Sequence, residues 1–269
     1  CNGVGAWFSR KLLEELGCEV FTVFDERDGV FRRRPEPVRE NLSALSRAVV
    51  ENKCAAGFAQ DPDGDRFALV GSDGSILGEQ NGLALAVEHV LSKTPGRVAV
   101  NVHTTRLVED VARARGCEVV YSMVGEINVI EKMMSSGAVI GGEGGSGGVI
   151  WPASYPCRDS FAAMALILEM TASRGENPEK IMARLPRYHM GNHKHPCPVG
   201  RARAVLKRLA EAHSDKKILA LDGLRIDFGD SWALVRPSNT EPVMRLNIES
   251  PSEARKDELV ALLSAQIKE

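Results

Sequence analysis

The sequence predicts an α/β protein: two tandem, similar α/β domains with mixed sheets, the first of them truncated, followed by a smaller α+β C-terminal domain. Three observations carry this expectation. Residues 2–22 and 101–121 share a layout, each opening on Asn, running through a helical stretch and closing on Gly-Cys-Glu-Val. Each copy is followed by a further helix and strand. Beyond Pro186 the order changes to a helix, a run of short strands and a closing helix, which is α+β order. The expected domains are 1–76, 77–187 and 188–269.

In the first copy Trp7, Leu12, Leu13 and Leu16 make a helical stripe and residues 20–24 read as a strand. In the second, Leu107, Val108 and Val111 precede a strand over 119–121. The strand Arg97-Val-Ala-Val-Asn101 introduces the second copy, whereas nothing equivalent stands before Cys1. The first domain is therefore expected to begin one strand late, as in a fragment of a longer protein, and to expose a sheet edge. Residues 187–200, rich in His, Pro and Gly, read as a linker in which His189, His193 and His195 are solvated and too irregularly spaced for a metal site. A helix over 201–213, strands over 218–221, 224–228, 232–235 and 243–249, and a helix over 253–267 follow. In the last strand Met244, Leu246 and Ile248 share one face and leave Arg245 on the other, placed either to serve the preceding loop or to join a surface ion pair.

Composition bounds the function. With 269 residues and 43% hydrophobic content the chain can build more than one core, since single cores stop growing at roughly 250 residues. A net charge of -2 argues against a nucleic-acid partner, and Arg32-Arg-Arg34 reads as a solvated loop. Six cysteines without a C-x-x-C pair indicate a reduced, cytoplasmic protein rather than a disulfide scaffold or zinc site. No apolar stretch is long enough to span a bilayer, so no membrane partner is expected.

Three loops carry the chemistry. Asp61-Pro-Asp-Gly-Asp-Arg66 follows the apolar run Ala55-Ala-Gly-Phe-Ala59 and delivers three carboxylates at alternate positions, a spacing that calls for a cation and, with hard oxygen donors in a tight turn, suits Mg²⁺. An EF-hand is excluded because its glycine and glutamate positions hold Arg66 and Ser72. Gly141-Gly-Glu-Gly-Gly-Ser-Gly-Gly148 lets backbone approach a ligand while Glu143 and Ser146 supply the polar contacts, as sugar hydroxyls require. Arg236-Pro-Ser-Asn-Thr-Glu-Pro242 combines a guanidinium fork, the hydroxyls of Ser238 and Thr240 and the amide of Asn239, which together read as a phosphate-gripping turn.

Together, in this order, the loops resemble those of the alpha-D-phosphohexomutase superfamily, the phosphoglucomutases, phosphomannomutases and phosphoglucosamine mutases. Val124-Gly125-Glu126, Arg158-Asp159 and Asn2-Gly3-Val4-Gly5 add lesser matches. The resemblance implies a phosphohexomutase, an isomerase that interconverts hexose 1-phosphate and 6-phosphate through a bisphosphate. It assigns Asp61, Asp63 and Asp65 to one Mg²⁺, Glu143 and Ser146 to the sugar, and Arg236, Ser238, Asn239 and Thr240 to the phosphate that is not transferred. Arg66 contacts the phosphoryl group or the loop. The family's phosphoserine belongs to an N-terminal domain that has no counterpart here, and Thr171-Ala-Ser-Arg-Gly-Glu-Asn-Pro178 reads as a helix end and turn. The chain is thus expected to be inactive without that domain. The sugar loop departs from the common form in holding Gly148 where a histidine often stands, and His103 occupies a region where some members place a lysine; a structural role is expected for it.

Two alternatives stay open. Asp-x-Asp-Gly after a buried strand also resembles haloacid-dehalogenase-type phosphatases, with Asp61 as nucleophile and Asp63 as acid/base, although Asp65 stands where Thr or Val is usual. The other is a non-catalytic sugar-phosphate binding protein.

Overall fold

A computed structural model describes residues 2–145, 147–238 and 240–268. The described residues form two compact units, one of residues 1–121 and 125–185, the other of residues 122–124 and 186–269.

The first unit contains α1 (Gly5–Glu15), α2 (Ser43–Glu51), β1 (Ala56–Gln60), β2 (Phe67–Gly71), β3 (Ile76–Gly78), α3 (Glu79–Lys93), β4 (Val98–Asn101), α4 (Arg106–Ala114), β5 (Val119–Ser122), α5 (Glu126–Ser136), β6 (Ile140–Glu143), β7 (Gly148–Trp151), β8 (Tyr155–Arg158), α6 (Ser160–Arg174) and α7 (Pro178–Met182). Two sheets result, ordered β1-β2-β3 and β5-β4-β6-β7-β8. The second is mixed: β4 and β6 are parallel, while β6-β7 and β7-β8 are antiparallel. The tandem repeat is visible as helix, strand region, helix, strand, loop and two-stranded return, and in each copy a functional loop lies between the second strand and the return.

Local sequence explains the element ends. Thr105 caps α4 by accepting from the Leu107 amide at 3.2 Å, and Asp159 caps α6 by accepting from Phe161 and Ala162. Gly175 closes α6 in the left-handed conformation and Pro178 opens α7. The central helix α3 is buried continuously from Gly82 to Leu91. It packs on β2, β6 and β7 and against α4 and α6, which is why its apolar residues surround the whole helix instead of forming one stripe.

Residues 20–24 are not a strand. A strand needs a hydrogen-bonding neighbour, and the sheet of the first copy ends at β1. Likewise α1 forms but buries none of its residues, leaving Trp7 and Leu16 exposed. Arg33 is not solvated either: its guanidinium donates to the Gln60 carbonyl at 2.5 Å.

The second unit comprises β9 (His189–Pro196), α8 (Val199–Ala212), β10 (Lys217–Leu219), β11 (Leu224–Asp227), β12 (Trp232–Pro237), β13 (Val243–Ser250) and α9 (Glu253–Lys268). Its sheet, ordered β10-β11-β12-β13-β9, is antiparallel throughout. Val235, Met244, Leu246 and Ile248 meet Leu209, Leu259 and Leu263 of α8 and α9 in one core; burial of side chains of this size contributes about 1.5–3 kcal/mol each. The expected linker is in large part β9, paired with β13 along its whole length. His195 is accordingly buried, with Nε2 3.2 Å from Ser264 Oγ, and His189 pairs with Glu253 at 2.9 Å.

Candidate functional site

The hairpin of β1 and β2 ends at the pair Gln60–Phe67 and projects residues 61–66 as a tight loop. Asp61, Asp63 and Asp65 each place a carboxylate oxygen within 4.8 Å of the others. Asp61 is fully buried; its Oδ1 accepts from the Arg66 amide at 3.0 Å and its Oδ2 from Arg66 Nε at 2.6 Å. Gly64 has φ +75, and a Cβ there would lie 2.5 Å from Val4 Cγ2, so the turn needs glycine on both conformational and steric grounds. The loop is clamped on two sides. Val4 donates its amide to Pro62 O at 2.9 Å, and the Ser160 amide donates to Gly64 O at 3.2 Å.

The three carboxylates crowd one another. Burial and the adjacent Asp61 carboxyl push Asp65 up to about 6, although Arg158 pulls the other way. For Asp61 burial acts upward too, but the side-chain and backbone hydrogen bonds from Arg66 outweigh it and hold the carboxyl below its ordinary value. Asp65 Oδ1 is buried without a hydrogen-bond partner. An oxygen-rich cluster carrying excess negative charge and an orphaned acceptor fits a hard divalent cation.

The glycine-rich loop after β6 rests on the turn between β4 and α4. Gly144 donates to Thr104 Oγ1 at 3.0 Å, and a Cβ on Gly145, whose φ is +85, would lie 2.4 Å from His103 Nδ1. Glu143 is buried and held from three directions: Asn101 Nδ2 at 3.2 Å and the Gly125 amide at 2.6 Å donate to Oε1, and Arg158 Nη1 donates to Oε2 at 3.0 Å. Ser146 lies outside the described residues. Arg158 also pairs with Asp65 and, at 3.4 Å, with Glu126, so one guanidinium joins the acidic loop to the glycine-rich loop. Sequence reasoning gave Arg158 and Glu126 no role and did not single out Asn101. Their only signals were the Arg-Asp and Val-Gly-Glu stretches, which name no partner.

In the second unit, β12 leads into the phosphate-type turn. The Ser238 amide bonds Val243 O at 2.9 Å, and the hydroxyls of Ser238 and Thr240 stand 3.4 Å apart. Asn239 lies outside the described residues. Arg236 faces Arg245 across β12-β13, and Arg245 faces Lys194 across β13-β9, forming a basic row over three strands. Asp222 offsets Arg236 at 3.4 Å, and Glu241 offsets Lys194 at 2.8 Å and Arg245 at 3.5 Å. The Nε atoms of both arginines are buried without hydrogen-bond partners. Such a row can receive an anion.

No helix among the described residues is long and apolar enough to cross a membrane. Three domain models of the phosphoglucomutase/phosphomannomutase family match the chain: domain II over residues 1–74, the alpha/beta/alpha domain III over 79–188 and the C-terminal domain over 198–266. A protein of Methanopyrus kandleri named probable phosphoglucosamine mutase is 36% identical over 264 residues, covering 96% of this chain and 58% of the relative. One of Thermococcus kodakarensis named phosphoglucomutase/phosphomannomutase is 34% identical over 265 residues, covering 97% and 58%. A crystal structure of a phosphoglucomutase/phosphomannomutase family protein from Burkholderia thailandensis superposes with a TM-score of 0.86 at 31% identity, covering 99% of this chain and 59% of that one. The chain thus spans less than two thirds of the length of these relatives. With matched domains extending over nearly all its residues, it belongs to the phosphoglucomutase/phosphomannomutase family of the alpha-D-phosphohexomutase superfamily.

Proposed function

We propose that the chain is the metal-, sugar- and phosphate-binding part of a cytoplasmic phosphohexomutase that interconverts hexose 1- and 6-phosphates through a bisphosphate, its domains dividing as 1–76, 77–187 and 188–269. The carrying observation is the Asp61, Asp63 and Asp65 cluster, linked through Arg158 to Glu143. The three aspartates would hold one Mg²⁺, which when bound neutralises charge on the transferring phosphoryl group. Arg66 holds Asp61 in place and presents a guanidinium to the incoming phosphoryl group. Glu143 and Ser146 meet sugar hydroxyls, with Arg158, Asn101 and the Gly125 amide fixing the carboxylate. Arg236, Ser238, Asn239 and Thr240 hold the phosphate that stays on the sugar, and Arg245 and Lys194 add positive charge beside them. Hexose phosphate is the substrate, and the phosphoserine comes from a domain outside this chain. A phosphatase mechanism with Asp61 as nucleophile gains no support, because the domain models that match the chain are those of the phosphoglucomutase/phosphomannomutase family.

Titration calorimetry with a hexose 1,6-bisphosphate, with and without Mg²⁺, tests the reading. The chain should bind the bisphosphate, more tightly with Mg²⁺, and turn over hexose 1-phosphate only when the phosphoserine domain is supplied. Absence of bisphosphate binding would overturn the assignment.

A further inference from the structure

Helix α3 begins beside the glycine-rich loop, where a Cβ on Gly147 would lie 2.3 Å from Glu79 Cβ, and ends at Lys93. At about 1.5 Å per residue its two ends are about 20 Å apart. Strand β7 likewise starts at Gly148 in that loop and ends at Trp151. At the far end of both elements lies a cavity of about 250 Å³, lined by His89, Val90, Val139, Trp151, Pro152 and Leu166 among others.

The lining is apolar except at one edge, where His89, Lys93 and Glu169 meet. His89 is 2% exposed, and its Nε2 lies 2.8 Å from Glu169 Oε2, while Lys93 pairs with the other oxygen of the same carboxylate. Hydrogen bonds from Lys93 and then from His89 hold the Glu169 carboxyl below its ordinary value. Glu169 is therefore the acceptor and Nε2 the donor. A neutral imidazole that donates at Nε2 accepts at Nδ1, and among the described residues no donor meets Nδ1. An acceptor so far removed from water is costly to leave unpaired.

We propose that this cavity binds a small phenol, its ring among Val90, Trp151 and Leu166 and its hydroxyl donating to His89 Nδ1. An apolar cavity of about 150 Å³ already admits benzene, so the volume here takes one ring with a short substituent. Trp151 offers an aromatic neighbour for that ring. The polar edge selects the class. A hydrocarbon would leave Nδ1 unpaired, a carboxylate would meet the Glu169 carboxylate and a bare acceptor, and a cation would bring an unmatched charge among apolar walls.

The isomers 4-ethylphenol and 4-methylanisole contain the same atoms, but only the first carries a donor, so comparing them reads the hydrogen bond. At about pH 8, above the ordinary imidazole range, NMR titration with 4-ethylphenol should shift the Trp151 indole and Ala153 methyl signals. The phenol should bind about tenfold more tightly than its isomer. His89→Phe should bring the two affinities together. Ala153 lines the cavity from an exposed turn, and Ala153→Trp should abolish binding of both. Should His89→Phe fail to fold, Glu169→Ala, a change at a half-exposed side chain that frees the ring's tautomer, should narrow the preference. Absence of shifts at Trp151 and Ala153, equal affinity of the parent for both isomers, a preference untouched by either change at the His89–Glu169 pair, or binding undiminished in Ala153→Trp would overturn the proposal. Each reading is independent of sugar phosphate binding.

Discussion

Arg236 and Arg245 stand directly opposite one another on adjacent antiparallel strands, each with a buried Nε that no acceptor meets. Like charges so placed destabilise a sheet, and an anion between them reverses the sign. Arg245→Met is therefore expected to raise the thermal midpoint of the ligand-free chain slightly while weakening hexose phosphate binding roughly tenfold to a hundredfold, the worth of a charged hydrogen bond. Calorimetry and thermal melts on the same variant check both halves.

Arg158 holds Glu143, Glu126 and Asp65 together. Arg158→Leu should destabilise the first unit by about 3–5 kcal/mol, because it leaves the buried Glu143 carboxylate facing one fewer donor and no guanidinium. Urea unfolding measures this. The double change with Glu143→Gln should recover part of the loss.

Stabilisation by Mg²⁺ should depend on all three aspartates. At a concentration a hundred times the dissociation constant, binding adds about 2.7 kcal/mol, and Asp63→Asn should abolish the corresponding upward shift in melting temperature. Asp63 is the member with no resolved role in the loop's own hydrogen bonds, so its loss leaves the fold intact.

His195 supplies a pH dependence. Burial, then the charges of Lys268 and His193, hold its imidazole below the ordinary value of about 6.5. The folded state thus favours the neutral ring, and the unfolded chain binds more protons between the folded value and about 6.5. Stability is full above that window and falls as pH drops through it. Subtracting the denaturation curves of a His195→Gln variant from those of the parent isolates this contribution, which should vanish at pH 8 and grow toward pH 5.

Gly64→Ala should cost about 1–3 kcal/mol through the left-handed conformation alone, and more through the approach to Val4. Because the loop is anchored at Pro62 and Gly64, the variant should lose Mg²⁺ affinity together with stability.

The loops were legible in the sequence because their donors are contiguous: Asp61, Asp63 and Asp65 converge by spacing alone. The environment of Glu143 was not, since Asn101, Gly125 and Arg158 come from three different elements that only the sheet brings together. Residues 20–24 carry strand-type side chains, but strand formation is a property of a pair, and among the described residues no strand pairs with them. The opposite error occurred at β9, whose polar, histidine-rich composition hides eight residues of pairing with β13. An edge strand with a buried residue only at intervals shows no clean alternation for sequence reading to find.

The all-round enclosure of α3 has a mechanical corollary. Because both repeats of the first unit lean on the same helix, each half shares part of its interior with the other beside a small cluster of its own, and melting one strips the other of the shared lining. Calorimetry on this unit should give one endotherm rather than two, and limited digestion should yield no long-lived half.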